Sequence, residues 1–210
     1  ITDCVGSGSI VGVGKQHTGV NIQYNEGAGT LNLYGGTIRN FAIGVTNSGT
    51  FNMYGGKLTK NSQGVSNTGT FNMHGGTITK NSGYCNGAGV CNTGSFTMYG
   101  GDITSNTASR SGSSDNGYGG GVYGITNATN IYGGRITRNE ARQGDDVYVG
   151  EQCGVHLKGK VTIGEGSSDG LLANTMHRID GKLEDGSKIY LSVPNGTANG
   201  TTLLHQRRGY

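Results

Sequence analysis

The chain reads as all-β: one β-solenoid, a right-handed parallel β-helix of about seven to eight coils with three short strands per coil. Three observations predict it. The segments GTLNLYGGTIRN, GTFNMYGGKLTKN, GTFNMHGGTITKN, GSFTMYGGDITSN and ATNIYGGRITRN are near-copies, with Gly-Gly pairs at 35/36, 55/56, 75/76, 100/101 and 133/134. The period therefore begins at 20 residues and lengthens only where residues are inserted. Glycine makes up 43 of 210 residues and proline 1, yet the glycines recur at fixed places between short apolar alternations, which marks turns rather than low complexity. Finally, the apolar residues of successive copies fall into columns.

Residues 1–28 read as an N-terminal cap and first coil, in which Gly19-Val20-Asn21-Ile22 resembles a third strand. Residues 29–150 are the regular coils. In the copy from Gly49 to Thr68, Phe51 and Met53 alternate with Asn52 and Tyr54; Leu58 points inward after the Gly55-Gly56 corner, and Val65 does so after a second turn. The same columns recur as Leu31, Leu33, Ile38 and Val45, as Phe71, Met73, Ile78 and Val90, and as Phe96, Met98, Ile103 and Val122, with Ile131, Ile136 and Val147 continuing them. A few inward side chains cannot offset the entropy of ordering one coil, so neighbours must stack as parallel strands about 4.8 Å apart. Crossovers of this kind are right-handed, which gives the architecture of pectin-lyase-like β-helices. Residues 151–210 read as degenerate coils and a C-terminal cap, with Val155, Leu157 and Val161 keeping the strand pattern and 188–193 as a late strand. Two insertions, 82–88 and 107–120, fall between second and third strands and so bulge from one edge.

The repeat GTFNMYGG, the Asn that closes it, the return strand Gly119 to Tyr123 and the segment Asp145 to Val149 resemble the β-helix repeat regions of large adhesin-like cell-surface proteins of gut and oral anaerobes, especially Firmicutes. The resemblance implies a secreted, surface-displayed solenoid with a binding role, and it brings no catalytic motif and no cofactor. A formal charge of +3, with lysines and arginines scattered about one per repeat, argues against nucleic acid as a partner. No run of 18 apolar residues is present to span a membrane, and Ile at position 1 reads as a processed chain or an excised domain.

Outward residues stack too. Tyr34, Tyr54, His74, Tyr99 and Tyr132 form one column beside Asn32, Asn52, Asn72, Thr97 and Asn130. Rings beside amides suit a glycan-binding face, since rings stack on sugar C–H faces and amides bond hydroxyls. The same column also serves as a stabilising stack and Asn ladder. Asn61, Asn81, Asn106 and Asn139 read as turn caps, with Phe41 in that place in the first repeat. In the insertions, Tyr84 and Asn86, with Arg110, Asp115, Asn116 and Tyr118, are either walls of a shallow site or tolerated loops.

Of four cysteines none is in a CxxC and no His has zinc-ligand spacing, so no metal site is expected. A bridge between Cys85 and Cys91 is a candidate for pinning the shorter insertion, whereas Cys4 and Cys153 are separated by about six coils and pair only if a terminus folds back. Acids are sparse: Asp102 faces Arg135 in the next coil, as an ion pair would, and Asp145, Asp146 and Asp115 supply no aligned carboxylate pair for glycoside hydrolysis. The Thr59, Thr79, Thr104 and Thr137 column is flanked by Lys57, Lys60, Lys80, Arg135 and Arg138, too hydrated a face to bind ice. Three functions follow as expectations: a glycan-binding surface module, a stalk that self-associates through its ends, and a polysaccharide-active enzyme.

Overall fold

The computed structural model describes residues 2–4, 8–25, 27–109, 111, 117–126, 129–150, 153–172, 177–192 and 204–206. They form a right-handed parallel β-helix of about eight coils with three strands per coil. The first sheet runs in order through Thr2–Cys4, Thr30–Leu33, Thr50–Met53, Thr70–Met73, Ser95–Met98, Thr129–Ile131, Val155–Gly159, His177–Leu183 and Leu204–Gln206. The second begins at Ser9–Val11 and Thr37–Arg39 and ends at Lys188–Ile189; the third runs from Thr18–Ile22 to Leu191–Ser192. The late strand expected over 188–193 is thus two short strands on different sheets, separated by a corner at Tyr190. Near the start of the helix, Tyr24–Asn25 and Gly27–Ala28 add a small antiparallel hairpin.

Register pairs each repeat with its copy. Phe51 lies beside Phe71 and Phe71 beside Phe96, while Met53, Met73 and Met98 do the same, and all six are fully buried. The phenylalanine rings stack 4.8 and 5.1 Å apart, which is the spacing of the strands themselves. The Gly-Gly corner is dictated by space as well as torsion. A Cβ on Gly55 would stand 2.3 Å from the Tyr34 carbonyl oxygen, and Gly56 has φ +82°.

Polar groups enter the interior as ladders. After the second strand of five successive coils one residue adopts a left-handed conformation, at Asn40, Lys60, Lys80, Ser105 and Arg138. This swings the next side chain inward. Asn81 Nδ2 donates to Leu58 O (3.2 Å) and to Asn106 Oδ1 (2.9 Å), while its own Oδ1 accepts from Asn61 N (3.0 Å) and Asn61 Nδ2 (3.0 Å). Asn61, Asn106 and Asn139 repeat the pattern, so the turn-capping role read from the sequence is met by a continuous buried chain of amides. A second interior ladder, Asn47 to Asn67 to Asn92, has Nδ2 to Oδ1 distances of 2.7 Å at both steps. Its asparagines follow the third strand's buried valine and carry no sequence signature beyond their recurrence.

Replacing Asn81 with Ala leaves the buried Asn61 N–H without its partner and removes an amide donor from the Leu58 carbonyl, and is expected to lower stability by about 1 to 3 kcal/mol. Asn72→Ala, on a half-exposed ladder, should cost under about 1 kcal/mol. Urea unfolding of the two variants compares them directly, and equal losses would contradict the buried role of Asn81.

Candidate functional site

The outward column of the first sheet is built by the same register. Tyr34 to Tyr54, Tyr54 to His74 and His74 to Tyr99 are each 4.8 Å between ring centroids, with interplanar angles of 8°, 12° and 8°. Tyr34, Tyr54 and Tyr99 remain 46, 42 and 50 % exposed, but the exposure is at ring edges, because the faces of Tyr54 and His74 are covered by their neighbours on both sides. Beside them Asn52 Nδ2 donates to Asn32 Oδ1 (2.9 Å) and Asn72 Nδ2 to Asn52 Oδ1 (3.0 Å). The stabilising stack is therefore real, and along most of the row it consumes the ring faces that a sugar would need.

The stack breaks once. Tyr132 meets Tyr99 edge-on, with centroids 6.0 Å apart and planes at 63°, and the Lys158 ammonium sits 3.9 Å from the Tyr132 centroid. The break leaves a cleft of about 460 Å³ at the corner between the first and second sheets, lined by Tyr99, Tyr132, Arg135, Lys160, Thr162 and Glu184. That size suits a small ligand. Arg135 is 3.9 Å from Asp102, the pair read from the sequence, and 3.6 Å from Glu165, which Lys188 Nζ bonds at 2.8 Å. Lys188 holds the Glu165 carboxyl below its usual range, with Arg135 and Arg138 adding to the effect. Lys160 and Glu184 take part in none of the ion pairs among the described residues, so a cation and a carboxylate remain open to the cleft. Burial, with the Asp180 carboxylate and Tyr99 adding to it, pushes the Tyr132 phenol up, so it stays a hydrogen-bond donor at neutral pH. In the coil beyond, the amide column ends in His156, whose Nδ1 lies 2.5 Å from Asp180 Oδ2.

The two insertions do share an edge. Ser82–Gly83 pairs with Thr107–Ala108, Tyr118 N donates to Asn86 Oδ1 (3.1 Å), and Gly87 N donates to Tyr118 O (2.9 Å). Tyr118 stacks on Tyr148 at 4.8 Å, Tyr148 on Tyr123 at 5.6 Å, and Arg142 Nη1 donates to Tyr118 Oη at 2.8 Å. Tyr123, Tyr148 and Arg142 were not singled out in the sequence; the recurrence of Val-Tyr at 122/123 and 147/148 was the available signal. Tyr84 is 72 % exposed. Arg110, Asp115 and Asn116 lie outside the described residues. The cleft is at a different corner, and none of its lining residues belongs to the described part of either insertion.

Cys85 and Cys91, the candidate bridge, are both free thiols in this structure. Burial pushes Cys85 up to about 11, with Cys91 adding to the rise and Lys15 opposing it. The shorter insertion is held instead by Gln63 Nε2, which donates to Asn86 O (2.9 Å) and Gly87 O (3.2 Å). Among the described residues no group of three His, Cys, Asp or Glu side chains is arranged to hold a metal ion. Among them, too, no helix is long and apolar enough to cross a membrane.

Asp145 and Asp146 are committed to the fold. Asp145 accepts from Ala141 N (2.8 Å), Ser168 N (3.0 Å), Ser168 Oγ (2.7 Å) and Asp169 N (3.0 Å), tying the 164–170 turn to the preceding coil. Asp146 closes the asparagine ladder, its Oδ1 accepting from Asn139 N (3.1 Å) and Nδ2 (2.6 Å). No protein family, curated protein or solved structure matches the chain.

Burial pushes the Asp146 carboxyl up to about 6; Ser167 and Asn139 pull against that shift, and Asp145 adds to it. The folded protein thus keeps a proton that the unfolded chain releases near 3.8, so this group's contribution to stability is best below that pH, declines toward about 6 and is flat above. Asp146→Asn, which keeps the acceptor oxygen for Asn139, is expected to raise stability by about 2 to 3 kcal/mol at pH 7.5 and to change little at about pH 3.5. Denaturant titrations at the two pH values check it; a loss at neutral pH would contradict the assignment.

Proposed function

We propose that this chain is a glycan-binding β-helix module of a secreted or cell-surface, adhesin-like protein, and that sugar binds in the cleft where the aromatic row breaks. One observation carries the reading. Tyr99 lines the cleft at the point where Tyr132 turns edge-on instead of stacking, and Lys160, Arg135, Glu184 and Thr162 line the same cleft. An open ring with donors and acceptors around its rim matches a pyranose, whose C–H face is apolar and whose hydroxyls project from the edge. The adhesin-like setting comes from the repeat's resemblance, and localisation at the cell surface is proposed with it.

A second reading, a stalk unit that stacks end to end, is favoured by the first strand of the second sheet. Ile10 and Val11 are 40 and 45 % exposed there, Val13 just beyond the strand is 97 % exposed, and among the described strands Ser9–Val11 pairs on one side only. An open edge of this kind invites another strand.

A glycan array separates the readings. Tyr99→Ala is expected to abolish the glycan signal. Tyr54→Ala, whose ring faces are already covered, should keep the signal while losing about 1 kcal/mol of stability. Loss of binding in the Tyr54 variant with retention in the Tyr99 variant would overturn the cleft as the site.

A further inference from the structure

Between Glu26 and Asp102 the chain contains no aspartate or glutamate, and its basic residues there are Arg39, Lys57, Lys60 and Lys80. Spread one or two to a repeat, they look scattered in sequence. The solenoid gathers them. Arg39 and Lys57 are outward residues of adjacent second-sheet strands, and Lys60 and Lys80 follow such strands at the next corner. Lys60 N donates to Lys80 O at 3.1 Å, so these two residues are direct neighbours one coil apart. Lys15 reaches the same corner, where its Nζ donates to Ser82 O (3.1 Å) and Asn61 O (3.4 Å). None of the ion pairs among the described residues involves these five cations, whereas Arg135 and Lys188 farther along the same sheet are matched by Asp102 and Glu165.

The left-handed turn serves the asparagine ladder, but the fold does not require lysine side chains at it, since Asn40, Ser105 and Arg138 hold the same place in other coils. Lys60 and Lys80 hold left-handed backbone, with φ of 56° and 55°, where glycine is unstrained. Like charges stacked across a ladder also repel. Side chains that break a local rule twice without a structural return mark a surface kept for a partner.

We propose that the corner and second-sheet face of the second to fourth coils bind a linear acidic polysaccharide, its carboxylates or sulfates lying along the basic band formed by the stacked pair Lys60 and Lys80 with Lys15, Arg39 and Lys57 beside it. The polymer axis would run along the solenoid, so that successive coils at about 4.8 Å meet successive stretches of one chain. Lys60 and Lys80, one coil apart, have backbones well inside the Debye length of about 8 Å at physiological salt and act as one field. Thr37 and Thr77 fill the other outward positions of these strands, while Thr59 and Thr79 are buried, and no aromatic ring is among them for a nucleic acid base to stack on. The choice of a saccharide among polyanions rests on the glycan-binding reading above; the charged column itself does not.

The test is binding of the full chain to polygalacturonate, dextran sulfate and neutral dextran, with a single-stranded oligonucleotide as the competing polyanion. Parent, Lys60→Gly/Lys80→Gly and Lys60→Gln/Lys80→Gln proteins are compared. The parent is expected to bind an acidic polymer at about 50 mM salt and to lose most of that affinity by about 200 mM. Both double variants should bind about thirtyfold more weakly, on the scale of one basic side chain near an anionic surface for each lysine removed. The glycine variant should melt at or above the parent's temperature, which separates lost binding from lost folding. Undiminished binding by both variants, no preference for acidic over neutral dextran, or tighter binding of the oligonucleotide would each overturn the inference. Tyr99→Ala distinguishes the two sites: acidic-polymer binding that survives it while neutral-glycan binding never appears speaks against the cleft alone, and the reverse pattern speaks against the lysine column alone.

Discussion

Everything in this molecule depends on in-register stacking at the strand spacing. When parallel strands carry copies of one sequence, each side chain must lie against its own kind about 4.8 Å away. Side chains that tolerate this are selected: flat rings, which stack at 4.8 Å both inside (Phe51 on Phe71) and outside (Tyr34 on Tyr54), and asparagine, whose amide is donor to one neighbour and acceptor from the other. A lysine stacked on a lysine is the exception. It earns no contact from the arrangement, which is why the unpaired column at Lys60 and Lys80 stands apart from the other columns.

The regularity also ends in one place. At the coil that begins with Thr129, the phenylalanine column gives way to Thr129, which lies beside Phe96 and whose Oγ1 receives the last amide of the Asn47 ladder from Asn92 at 3.4 Å. In the same coil Asp146 replaces the next asparagine of the Asn61 ladder, and Tyr132 turns out of the aromatic row. Polar chains that would otherwise leave a buried amide unmatched are closed by a hydroxyl or a carboxylate. The ring that has no successor to stack on instead opens the cleft. Loss of repetition and gain of a chemically distinct surface therefore share one cause.

The coil count, the three strands and the inward columns from Leu31 to Val147 were legible in the sequence, because period-2 alternation and a 20-residue repeat act through nearest neighbours. The site was legible only as a column. Sequence spacing placed Tyr34 through Tyr132 together but could not say that their faces would be spent on each other, since that depends on ring orientation. It also treated one-per-repeat lysines as scattered, although in a solenoid a residue repeated each period becomes a row in space. Cys85 and Cys91 are near enough in sequence to suggest a bridge, and in the structure both are free, partly buried thiols.

The central claim is that stacking closes the ring faces along the row and leaves one open at Tyr99. A crystal structure of the protein soaked with an oligosaccharide that it binds addresses this most directly. The account predicts a sugar ring lying against Tyr99, with its hydroxyls within hydrogen-bonding distance of Lys160 or Glu184. A sugar lying along the edges of Tyr34, Tyr54 and His74, with the Tyr99 cleft empty, would contradict it.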